Sequence, residues 1–134
     1  MRTTMTSKTT ARQTISSGGQ YENVFGYSRA VRVGNHLHIS GTCASPDYEH
    51  SNAYEQAQAI LVTVNKVLAE AGMGPEDVVR TVVYLRDITD AASVAKAHSE
   101  VFDAIRPASS LIQVDSMLRP WQKVEIETYA IVAD

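Results

Sequence analysis

From residue 53 onward, apolar residues recur at spacings of three and four: Ala57, Ile60, Leu61, Val64, Val67, Leu68 and Ala71. That period is one face of an amphipathic helix. Asn52 is placed to cap its start, and Gly72 to end it in the left-handed conformation. A second helix is predicted after Asp90, a candidate N-cap, with Val94, Ala97, His98, Val101 and Ile105 on one face. Pro107 disfavours helical geometry at Arg106 and marks its stop. Elsewhere the period is that of strands. Residues 13–16 form a short first strand halted by Gly18-Gly19. Residues 27–33 and 37–40 flank Gly34-Asn35, a pair suited to a tight turn, which predicts a hairpin over 27–41. Residues 42–52, with Pro46, Asp47 and Ser51, read as a loop. Residues 78–85 form a strong strand, followed after the second helix by strands at 109–114 and 123–127.

The element order is β-β-β-α-β-α-β-β. It predicts a single two-layer α+β domain: a mixed sheet of about six strands with both helices on one face. The other sheet face would be left uncovered, and an apolar face of that size is expected to be buried in an oligomer. Strand side chains alternate with period two. Ser109, Leu111 and Gln113 therefore share one face of their strand, and Glu125 and Glu127 share one face of the last. Two carboxylates among Val124, Ile126, Ala130 and Ile131 either face water or place at least one acid in a cleft.

Composition narrows the function classes. A length of 134 residues suits one domain. Net charge is -3, which argues against a nucleic-acid footprint or an anionic membrane surface. No apolar run approaches the roughly 20 residues of a membrane span. The single cysteine, Cys43, excludes an internal disulfide and fits a reducing compartment, the cytoplasm. Residues 1–11 are Thr-rich and without acids, and read as a disordered tail ahead of a domain at 12–134.

With the elements placed, the sequence resembles the YjgF/RidA (Rid) family, also labelled endoribonuclease L-PSP. The resemblance rests on Gly26-Tyr27-Ser28-Arg29-Ala30-Val31-Arg32-Val33-Gly34-Asn35, Ile39-Ser40-Gly41, Ala71-Gly72, Asp77-Val78-Val79-Arg80-Thr81-Val82-Val83-Tyr84-Leu85, Arg106-Pro107-Ala108 and Val124-Glu125-Ile126-Glu127. It covers about residues 15–132. It implies a fold resembling chorismate mutase, a homotrimer with ligand clefts between subunits, and hydrolysis of reactive enamines and imines without cofactor or metal. In the family's best-studied branch an arginine after Pro-Ala clamps the substrate carboxylate as a bidentate fork. A glutamate on the last strand positions water or moves a proton. The glutamate matches Glu125 and the family's tyrosine matches Tyr27. The arginine position holds Ser109, so the chain resembles the arginine-less subgroups. Arg29, Arg80, Arg106 and Arg119 are the other candidate sources of positive charge.

The expected site is therefore catalytic Glu125, with Tyr27, Ser109, Leu111, Cys43 and Trp121 around a small-molecule ligand. Glu125, partly shielded at an interface, would have a raised pKa and shuttle a proton. Glu127 is read as an ordinary strand-face carboxylate. Ser109 lines the cleft and is not read as a nucleophile, since no histidine lies near it in sequence. Cys43 is either a reactive thiol or an inert small hydrophobe. Trp121 either stacks on a flat ligand or anchors its loop, and Tyr27 is either cleft wall or trimer packing. His36, His38 and His50 are not expected to bind metal, and His98 is read as a satisfied half-buried residue. Three functions compete: a C–N hydrolase, a non-catalytic ligand-binding or stress-related protein on the same scaffold, and, least favoured, a ribonuclease.

Overall fold

A computed structural model describes residues 11–133; the expected tail lies outside them up to residue 10. Its strands are β1 (Arg12–Ile15), β2 (Ala30–Val33), β3 (His36–Thr42), β4 (Val78–Leu85), β5 (Ala108–Gln113) and β6 (Val124–Ile131). They form one mixed sheet in the order β1-β2-β3-β6-β4-β5. Every neighbouring pair is antiparallel except β4 and β5. Helix α2 (Ala53–Glu70) and helix α3 (Ala91–Phe102) carry the expected apolar faces. Ala57, Ile60, Leu61, Val64 and Leu68 of α2 are buried with Val94, Ala97 and Phe102 of α3 in one core. Among the described residues no helix is long and apolar enough to cross a membrane.

Local chemistry explains the helix ends. Asn52 Oδ1 accepts from the Glu55 amide at 2.8 Å, and Glu55 Oε1 accepts from the Asn52 amide at 3.2 Å. This reciprocal box satisfies two donors that the helix itself cannot. Gly72 follows α2 with φ 74. At α3 the expected cap is displaced. Asp90 makes no side-chain cap, because a 3₁₀ turn over Ile88–Asp90 precedes the helix and Asp87 Oδ1 accepts from the Thr89 amide instead. Arg106 is the one described non-glycine residue with positive φ, at 60. The proline that follows it denies it the helical well. The β2–β3 hairpin turns through Gly34, φ 57, with Val33 paired to His36.

A short helix α1 (Gln20–Phe25) was not expected between β1 and β2. Gly18-Gly19 and Gly26 bracket only six residues, too few to show a helical period. What holds α1 is Glu22, a buried carboxylate accepting from the Ser17 amide and hydroxyl and the Gly19 amide. Burial works against its charge. The Ser17 and Ser16 hydroxyls and the two amides outweigh it and hold the carboxyl below its ordinary range.

The uncovered sheet face also differs from expectation. Along β6, Val124, Ile126, Thr128 and Ala130 are buried in alternation with half-buried Glu125, Glu127 and Tyr129. Leu37 and Ile39 of β3 alternate with exposed His36 and His38 in the same way. The face away from α2 and α3 is thus polar at its centre, with Tyr84 of β4 opposite Glu125. Exposed apolar side chains such as Val33 and Ile112 stand on the outer strands.

Replacing Asn52 with alanine should remove the α2 cap and cost about 1 kcal/mol. In a domain of this length that is a fall of roughly 4 °C in Tm, read by thermal unfolding; an unchanged Tm would mean that packing alone fixes the helix start.

Candidate active site

The site is built on an irregularity in β3. Ile39 pairs with Thr128, and Thr42 with Ile126, so β3 spends one more residue than β6 between these pairs. The extra residue makes a bulge at Ser40-Gly41. A bulge withdraws carbonyls from the ladder, and the Arg29 guanidinium collects them. Arg29 Nη1 donates to Gly41 O at 2.7 Å, to Thr42 Oγ1 at 3.0 Å and to Ser40 O at 3.4 Å. Arg29 Nη2 donates to Tyr27 Oη at 2.7 Å, and the guanidinium carbon lies 5.3 Å from the centre of the Tyr27 ring. Only 9% of Arg29 is exposed.

Across the bulge lies Glu125. A Cβ on residue 41 would collide with Glu125 Oε2, so glycine is what lets the carboxylate lie against the β3 backbone. Among the described residues its one hydrogen-bond donor is the Cys43 thiol, 3.6 Å from Oε1. Burial, the charge of Glu125 and that hydrogen bond push the Cys43 thiol up to about 12, against a smaller opposing pull from Arg29. Cys43 is therefore a thiol that donates to Glu125, and the reactive-thiolate reading fails on electrostatics.

Glu127 is more than a strand-face carboxylate. Its two oxygens accept the hydroxyls of Tyr84 and Tyr129, each at 2.5 Å. The hydrogen bond to Glu127, with desolvation and the carboxylate charge, raises the Tyr84 phenol to about 12, and Tyr129 shifts the same way for the same leading cause. His38 packs edge-on against Tyr129, ring centres 5.4 Å apart.

These groups floor a cavity of about 500 Å³ whose opposite wall is α1. Tyr21 and Phe25 stack at 5.9 Å, and Phe25 meets Tyr27 edge-on at 6.0 Å. Glu125 and Glu127 also border a second cavity of about 210 Å³ closed by Tyr84 and the loop residues Ser116 to Leu118. The aromatic pair on α1 escaped the sequence reading with its helix. With no helical period to read, the signal available was Glu22 three residues after Gly19, the acid that closes back on the helix start.

The fold brings together Tyr27, Cys43 and Glu125 of the expected site residues. Within one chain it keeps Ser109, Leu111 and Trp121 apart from them. Ser109 pairs with Thr81 and Leu111 with Val83 in the parallel β4–β5 ladder, and Thr81 and Val83 are buried on the helix side. Period-two alternation therefore turns Ser109 and Leu111 to the face opposite Glu125. Ser109 Oγ accepts from Thr81 Oγ1 at 2.7 Å, and Thr81 Oγ1 is also bonded to His98 Nε2 at 2.9 Å. The histidine that is distant in sequence is thus one hydroxyl away from Ser109 in space. Burial holds the His98 pKa below its ordinary value, in keeping with a satisfied half-buried ring. At Trp121 the backbone carbonyl accepts from Gln56 Nε2 at 3.2 Å, and the side chain is not part of either cavity wall. Arg106 pairs with Asp103, and Arg80 stands opposite Tyr129 on the open face. Among the described residues no three His, Cys, Asp or Glu side chains converge in a metal-binding group.

The model of the family described as Endoribonuclease L-PSP matches residues 20–132. The chain belongs to the YjgF/RidA family. It is 36% identical over 135 residues to an uncharacterised Streptomyces coelicolor protein, SCO2049, covering 97% of this chain and 99% of that one. It is 31% identical over 124 residues to a goat protein named 2-iminobutanoate/2-iminopropanoate deaminase, covering 90% of each. Among solved structures, Rv2704 of Mycobacterium tuberculosis, titled a member of the YjgF/YER057c/UK114 family, superposes with a TM-score of 0.85 at 37% identity. That match covers 91% of this chain and all of the other. The six-stranded mixed sheet backed by two helices is this family's fold.

The environment of Cys43 gives a test of the site's electrostatics. With a pKa about four units above pH 8, only about one thiol in ten thousand is ionised there. Iodoacetamide should label Cys43 at least about a hundred times more slowly than free cysteine. Glu125→Gln removes the charge that opposes the thiolate and should speed labelling severalfold, burial remaining; no acceleration would detach Cys43 from Glu125.

Proposed function

We propose that this chain hydrolyses a small C–N substrate, an enamine or imine, in the cavity floored by Glu125. The observation that carries this reading is the Glu125 carboxylate. It lies against Gly41 at the cavity edge, with a weak thiol donor on one oxygen and acceptor capacity to spare for water. In the reaction Glu125 takes a proton from water as its oxygen adds to the imine carbon. The proton is returned to nitrogen to give a carbinolamine; Glu125 then takes its hydroxyl proton and passes it to the amine as the C–N bond breaks, and a carbonyl compound and ammonia leave. Tyr27 supports the step. Its oxygen accepts from Arg29, which leaves its own O–H to donate to substrate or intermediate. The name of the goat relative supports the reaction class.

The family resemblance further supports a homotrimer whose clefts lie between subunits, an arginine-less subgroup, and a cytoplasmic setting suited to a lone cysteine. A second reading, a ligand-binding protein without turnover, draws on Ser109 standing where the family's carboxylate clamp belongs. The ribonuclease label fits least, because two carboxylates in the cavity floor repel a phosphate backbone.

Ammonia release from 2-aminoacrylate and from imines generated in situ tests the proposal. Wild type should hydrolyse at least one member of the panel, and Glu125→Ala should lose about 10² to 10⁴ in rate on it, the usual contribution of a positioned acid–base group. Silence of wild type across the panel would leave the binding-protein reading. In solution the protein should have three times the mass of one chain; a monomer at micromolar concentration would rule out a cleft between subunits.

A further inference from the structure

The charge of the cavity is set by residues whose other commitments are visible. Glu125 and Glu127 line its floor beside His38, and among the described residues no lysine or arginine lines it. Arg29, behind the wall, spends its Nη1 on the bulge and its Nη2 on Tyr27, and Arg80, outside the lining, stands opposite Tyr129 on the same face. Arg29 neutralises backbone carbonyls and cannot turn a bidentate fork toward a ligand. Glu127 is held in place by two phenol donors, so it cannot swing away to relieve an incoming anion. Opposite the carboxylates stand the faces and edges of Tyr21, Phe25 and Tyr27, with Phe25 72% exposed at the rim. Acids on one side and π-systems on the other make a site complementary to a cation that carries flat apolar surface. A ligand carboxylate meets two like charges there, and the donors that face it are neutral hydroxyls such as that of Tyr27 rather than a guanidinium fork.

From this we infer that the ligand of this cavity is a protonated amine or iminium bearing a planar apolar group and no carboxylate. The inference rests on the cavity being the functional site, and it names the charge class of what enters. It separates this chain's substrate from 2-imino acids. For such a ligand the reaction balances without a further reactant: R–CH=NH₂⁺ and water give R–CHO and NH₄⁺. The iminium charge lies between Glu125 and Glu127, and the apolar group lies on Phe25.

The probes are 2-phenylethylamine and its near-isosteric anion 3-phenylpropanoate, titrated calorimetrically into the intact protein near neutral pH. The amine should bind at least about tenfold more tightly. Glu127→Gln and Glu125→Gln, each nearly isosteric, should shrink that ratio, and Phe25→Ala should weaken the amine about fivefold. Equal or tighter binding of the anion overturns the inference, as does a preference that both glutamine variants leave intact. If the anion binds and Arg80→Ala abolishes it, Arg80 is a carboxylate clamp and the inference is likewise overturned. Turnover is read separately. Hydrolysis of 2-iminopropanoate with anion preference would sink this inference and leave the hydrolase reading standing. Amine preference with no imine hydrolysed would do the reverse.

Discussion

Arg29 is the interaction on which the open face depends. One buried guanidinium answers two carbonyls and a hydroxyl at the β3 bulge and fixes the Tyr27 phenol. Without it Gly41 O would lose its side-chain donor, while Ser40 O would keep only the Thr42 hydroxyl at 2.8 Å; a buried acceptor left unsatisfied costs about 1–3 kcal/mol. Lysine could not replace it, since a single ammonium lacks the planar fork that reaches both sides. The bulge in turn sets Gly41 beneath Glu125, where a side chain of any size would strike the carboxylate. A structural arginine, a glycine and a catalytic candidate are thus one unit. The β2–β3 hairpin supplies its frame, because Arg29 precedes β2 while its acceptors lie at the end of β3.

The strand period divides the labour of the sheet. Residues facing α2 and α3 make the core, and the alternate residues of β3, β4 and β6 make the chemistry. On that second face polar groups satisfy one another: Glu127 with Tyr84 and Tyr129, Glu125 with Cys43, Arg29 with the bulge. Such a network positions its members more tightly than loops would.

What was legible in the sequence follows the strength of local signals. Helix α2 was readable in full, because its apolar period, its Asn52 cap and Gly72 agree. The hairpin and the last strands were readable from turn chemistry and alternation. Helix α1 was not, since six residues between glycines carry no period and their stability comes from Glu22 binding backwards to Ser17 and Gly19. The pairing of Glu125 with Glu127 on one face was legible; which face, and which tyrosines meet them, depends on sheet order. That order places β6 between β3 and β4, and no local pattern encodes it. Arg29 was visible only as a spare charge. Its role needs the bulge, which is a property of two strands in register.

Sheet order also bears on Ser109. In the chain β4 separates β5 from β6, so two strand spacings, about 10 Å, lie between Ser109 and Glu125, and their side chains leave the sheet on opposite sides. A residue at 109 can serve the Glu125 cavity only from another copy, since β5 is an edge strand whose side chains are largely exposed. An arginine reaching across such a boundary would bring the positive charge that the cavity of a single chain lacks. Serine there is instead tied to Thr81 and through it to His98, inside its own subunit. In the intersubunit cleft we propose, serine at 109 would therefore withdraw a carboxylate partner and leave Glu125 and Glu127 as the acids facing the ligand. A site in that state selects against an acid by electrostatics alone, before any shape is considered.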